Sequence, residues 1–164
     1  MTRFGAIRAA MAFALTMIPA TPVHAQFWQC VTFARSISAI DIRGNAKTWW
    51  AQAAGRYLRE AIPAAGSVMA FKPTGSMPQG HVAVVSKVIS AREVLLDHAN
   101  WSRPGKVERG VRAIDVSAKG DWSAVRVFYA GAGGLGTRVN SLYGFIAGTT
   151  SRAISLPTVQ FASR

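Results

Sequence analysis

The chain has 164 residues and a mass of 17.5 kDa, room for one compact domain with terminal extras and too little for two catalytic domains. Half the residues are apolar, with 5 Trp, 8 Phe and 3 Tyr, which supports a packed core and excludes composition-driven disorder. Nineteen basic residues against 7 acidic give +12 and a pI near 11.3, pointing to an anionic partner surface such as nucleic acid, cell-wall polymer or phospholipid headgroups.

In chain order, Met1 to Ala25 carries a basic start (Arg3, Arg8), an apolar stretch from Ala9 to Ala20, Pro22 and then Val23-His24-Ala25. This is the pattern of a secretory signal peptide cleaved after Ala25. Its apolar run is about a dozen residues, short of the roughly 20 that span a bilayer, so no stable membrane insertion is expected. Without the leader, 139 residues keep 17 basic against 7 acidic, or +10. Export to a periplasm or out of the cell makes wall polymer a better expected partner than nucleic acid.

From Phe27 to Ile40, apolar residues recur at three- and four-residue steps (Phe27, Val31, Ala34, Ile37, Ile40), which predicts an amphipathic helix with Cys30 in its first turn. A turn at Asp41 to Asn45 leads to a second predicted helix, Ala46 to Glu60, with Trp49, Trp50, Ala53, Tyr57 and Leu58, closed by Pro63. The three aromatics read as core or as the lining of a glycan groove. Short β-branched runs follow at Ser67–Phe71, His81–Ile89, Glu93–Asn100, Val111–Val116 and Val125–Tyr129. Helices first and strands afterwards predict an α+β domain with an antiparallel sheet. The glycine-rich stretch Gly131 to Gly136 reads as the start of a flexible tail. The expected division is therefore a signal peptide over 1–25, a catalytic domain over 26–130, and a Gly-rich linker and tail over 131–164.

Cys30 is the chain's one cysteine, which excludes an intramolecular disulfide and any metal site built from several cysteines. A thiol attacks as thiolate, and at a pKa of about 8.5 only about 3 per cent is ionised at pH 7. Lowering that pKa to about 6 requires about 3.4 kcal/mol of preferential thiolate stabilisation, which a helix N-terminus and a neighbouring imidazolium can supply. Two histidines remain beyond the leader, His81 and His98. His81 opens a strand after a Pro78-Gln79-Gly80 loop, at a sheet rim suited to a base. A third group must hold the imidazole in one tautomer. Strand alternation puts Leu96, His98 and Asn100 on one face, with Asp97 and Trp101 on the other; a one-residue slip would bring Asp97 in instead. Trp101 reads as cleft wall or as packing.

Five stretches carry a family resemblance: Gln29-Cys30-Val31-Thr32-Phe33-Ala34-Arg35; Gly44-Asn45-Ala46 with Trp49-Trp50; Pro63 to Phe71; Gly80-His81-Val82-Ala83-Val84-Val85; and Asp97-His98-Ala99-Asn100-Trp101. In that order and spacing, across Phe27 to Tyr129, the chain resembles the CHAP domains, cysteine, histidine-dependent amidohydrolases and peptidases. The resemblance implies a papain-like α+β fold, N-terminal helices packed on a small antiparallel sheet. It also implies Cys30 as nucleophile, His81 as base and peptidoglycan amide or peptide bonds as substrate. Several CHAP enzymes place an acidic residue two positions before the Asn, where this chain has His98. The related NlpC-type peptidases use a histidine as third member, so the orienting role falls to His98, which is favoured, or to Asn100. No cofactor and no metal are expected, and a monomer is. Two rivals share the sequence: an amidase of small amides or peptides, and a non-catalytic wall-binding module held by its cationic surface.

Overall fold

The computed structural model describes residues 26–149; residues 1–25, where a signal peptide is expected, and residues 150–164 lie outside. Two short helices come first, α1 (Cys30–Ile37) and α2 (Ala46–Gln52). Eight strands follow: β1 (Leu58–Glu60), β2 (Val68–Phe71), β3 (His81–Ser90), β4 (Glu93–Ala99), β5 (Val107–Asp115), β6 (Ala124–Tyr129), β7 (Gly134–Leu135) and β8 (Asn140–Ala147). Both helices are shorter than the periodicity predicts. The backbone turns extended at Ser38, whose hydroxyl donates to the Ala34 carbonyl at 2.7 Å. The second helix is ended by a turn through Gly55, at φ +72°, a conformation cheap only for glycine, and Leu58 to Glu60 leave as strand.

The papain-like α+β expectation has to be corrected. The domain is mostly β: β2, β3, β4, β5, β6 and β8 close into a six-stranded barrel in which every neighbouring pair is antiparallel. Closure depends on β8, which pairs with β6 through Asn140 and Ser141 and with β2 through Leu142 to Ile146. The expectation of a linker and tail from residue 131 is corrected by the same strand, since Asn140–Ala147 completes the barrel wall and closure removes two sheet edges.

Period-two alternation divides the burial. Met69, Phe71, Ala83, Val85, Val94, Leu96, Val111, Ala113, Val127 and Phe145 belong to the barrel's own core. Their neighbours Val68, Ala70, Val82, Val84 and Ile146 form a second core with Ala34, Ile40, Ile42, Ala46 and Trp49, so the helices cover the outside of β2, β3 and β8. Trp49 is fully buried there, while Trp50 stacks on Tyr143 at 6.1 Å and the Tyr57 hydroxyl accepts the Asp41 N–H.

Candidate active site

The covering helices and the barrel wall meet at one end, and the chemistry-bearing residues gather there. Cys30 is the first residue of α1, and Gln29, extended at φ −88°, provides no side-chain cap, so first-turn N–H groups stay available. His81 is the first residue of β3, held by a tight approach at Gly80: with φ +69°, a Cβ there would lie 3.0 Å from the Lys47 nitrogen and 3.1 Å from the Phe71 carbonyl. The Gln79 carbonyl accepts the Lys47 N–H at 2.7 Å, which locks the loop before His81 onto the start of α2.

Cys30 and His81 line one cavity of about 710 Å³ together with Gln29, Asn100 and Trp101. The backbone N–H of Val82, the residue after His81, pulls the Cys30 thiol toward its ionised form. His81 Nε2 and His98 Nδ1 lie 3.1 Å apart and share one hydrogen bond. Trp101 covers both rings, with centroids at 4.8 Å from His81 and 5.4 Å from His98, and its indole N–H donates to the Phe128 carbonyl. Trp101 thus both walls the cleft and packs.

Burial sets the protonation states. It pushes the Cys30 thiol up, against the pull of the backbone N–H groups of Val82, Val31 and Cys30. It also holds His81 well below the ordinary imidazole range, helped by repulsion from His98. His98 falls to about 4 because burial outweighs the nearby Glu108 and Asp97 carboxylates. Burial thus works against the resting thiolate-imidazolium pair expected from the sequence, raising the thiol and lowering the imidazole.

The two candidate orienters separate clearly. His98 contacts His81, whereas Asn100, at φ +60°, donates to Gln29 Oε1 at 3.0 Å and accepts the Gly105 N–H at 3.0 Å. The left-handed backbone, which Asn tolerates, takes Asn100 out of the strand alternation. Asp97 faces away, accepting from Arg109 Nη1 and the Gly110 N–H. None of Trp49, Trp50 and Tyr57 lines the cavity.

Sequence reasoning missed two residues. Arg138 is the one cation among the described residues lining the cavity, which include no carboxylate; it sits just before β8, in the stretch read as tail. Glu108 lies opposite His98 across β4 and β5, with Oε2 4.0 Å from His98 Nε2. A hairpin centred on the Arg103-Pro104-Gly105 turn pairs them, but the β-branched run that signals the strand begins only at Val111.

Among the described residues no group of three or more His, Cys, Asp or Glu side chains is placed to share a metal ion, and no helix is long and apolar enough to cross a membrane. Comparison with curated proteins gives no match. The family model for the CHAP domain matches residues 21–100. That match, over the segment that holds Cys30, His81, His98 and Asn100, supports the CHAP domain family for this chain.

Proposed function

We propose that the protein is an exported peptidoglycan hydrolase that cuts amide or peptide bonds through a Cys30 acyl-enzyme. CHAP domains are generally hydrolases of the cell wall, of amidase or peptidase type. The observation that carries the reading is the 3.1 Å contact of His81 Nε2 with His98 Nδ1 on the wall of the cavity that Cys30 also lines. With Nε2 engaged by His98, His81 keeps Nδ1 for the thiol.

The reaction runs from a neutral pair. Cys30 Sγ attacks the substrate carbonyl as its proton passes to His81, and the charge pair forms only as the bond does. The tetrahedral oxygen takes the Cys30 backbone N–H at the helix start as one donor. The Gln29 side-chain amide, its oxygen fixed by Asn100, leaves its NH₂ for a second. His81 then protonates the departing amine as the C–N bond breaks, leaving a thioester. Water gives a proton to His81 and attacks the thioester; the C–S bond breaks, the acyl group leaves as a carboxylic acid, and the proton returning from His81 restores the thiol. Arg138 across the cavity suits a carboxylate-bearing stem peptide.

The leader pattern before Ala25 and the +10 charge of the remainder support export to an anionic wall, where the positive field speeds encounter. The test is digestion of purified peptidoglycan, with mass spectrometry of the released fragments. The wild type should release fragments bearing a new amine and a new carboxyl, which define the bond, and Cys30→Ala should lose about a thousandfold or more. Full activity in Cys30→Ala would refute the reading.

A further inference from the structure

His98 is fully buried, yet its Nε2 has no hydrogen-bond partner among the described residues. The nearest charge is the Glu108 carboxylate, 4.0 Å away, longer than a hydrogen bond but close enough for its field to act on a buried N–H. A break in register delivers that carboxylate. Leu96 pairs with Val111 and His98 with Glu108, so β5 holds one residue more than β4 between the two pairs. The extra residue is accommodated at Gly110, φ +61°, in the manner of a β-bulge. Without it, Arg109 would stand opposite His98; with it, Arg109 turns to Asp97 at 2.9 Å, and Asp97 also accepts the Gly110 N–H. Glu108 is fixed in turn, accepting the Ser102 N–H at 2.8 Å.

We propose that Glu108 is a positioning residue that sets the tautomers of both histidines. Its negative charge favours the proton of His98 on Nε2. His98 Nδ1 is then the acceptor of the shared bond, so His81 must donate from Nε2 and present a bare Nδ1 lone pair to Cys30. With the His98 proton on Nδ1 instead, His81 would accept at Nε2 and carry its own proton on Nδ1, the wrong form for a base. Glu108 touches neither substrate nor sulfur; it acts through two rings. This extends the catalytic reading above and rests on it for its kinetic consequence, though not for its spectroscopic one.

The experiment compares wild type with Glu108→Gln, which keeps an oxygen for the Ser102 N–H and removes the charge, using protein labelled with ¹⁵N-histidine. Ring signals are assigned from single His→Gln variants. Wild type should show protons on Nε2 and bare Nδ1 for both His81 and His98. Glu108→Gln should mix the tautomers of both rings and lower kcat about tenfold with KM unchanged, and Glu108→Asp should recover part of both effects. An unaltered ring pattern in Glu108→Gln overturns the proposal. So does a wild-type His98 protonated on Nδ1, a result that decides the matter even if the variant fails to fold. A wild type that digests no wall polymer would instead count against the hydrolase reading and leave the ring-nitrogen result to stand by itself.

Discussion

Leu96 and His98 stand two residues apart on one face of β4, and both are fully buried. Leu96 enters the barrel core among Met69, Val85, Val111 and Phe145, where burial of apolar surface stabilises the fold by about 2 kcal/mol or more. His98, one step toward the barrel mouth, contacts His81, Trp101 and the field of Glu108, and its burial shows as a pKa driven down to about 4. The same strand thus crosses from a region that holds the molecule together to one that opposes folding at acid pH and, in the proposed mechanism, arranges a proton path.

Alanine replacements should separate the two regions. Leu96→Ala should cost about 3–5 kcal/mol in denaturant unfolding while leaving kcat of the folded fraction nearly unchanged. His98→Ala should lower kcat about a hundredfold. Equal kinetic losses at both positions would erase the distinction.

Acid should reveal the polar region next. An unfolded His98 titrates near 6.5, while the folded one titrates at about 4. Between those values the unfolded chain binds more protons, so stability is complete above pH 6.5 and declines as pH falls, by about 3 kcal/mol from His98 on reaching pH 4. His98→Gln should flatten that slope in urea titrations run from pH 7 to 4, leaving the contribution of His81, whose pKa is depressed in the same direction.

Smaller effects distinguish the remaining contacts. Asn100→Ala frees the Gln29 amide and should lower kcat about tenfold, well short of His98→Ala; the reverse order would make Asn100 the orienter. Arg138→Ala should raise KM severalfold for stem peptides ending in a free carboxylate and leave amidated ones unaffected, as read from initial rates.

Much of the site was legible because it depends on local pattern. A lone cysteine at a helix start, a histidine opening a strand and alternation through Leu96 and His98 all survive translation into three dimensions. What failed depends on distant pairing or on single backbone torsions. Barrel closure requires Val68 to meet Ile146, and no local signal joins residues so far apart. The Leu142 to Ala147 run is apolar, but the preceding glycines outweighed it and hid both β8 and Arg138. Asn100 obeys alternation in the sequence and leaves it through one positive φ. Glu108 reaches His98 only because β5 bulges at Gly110. The resting ion pair, argued from the chemistry of thiols in general, is opposed by the desolvation of Cys30 at the start of α1 and of the two histidines at the barrel mouth.

In the proposed mechanism Cys30 carries the acyl group between bond cleavage and hydrolysis. Intact-mass measurement after rapid acid quench of the protein mixed with peptidoglycan-derived peptides tests it directly. A transient adduct equal to the acyl fragment is expected, located on Cys30 by peptide mapping and absent in Cys30→Ala. Fragment release by both proteins at the same rate, with no adduct on the sulfur, would contradict it.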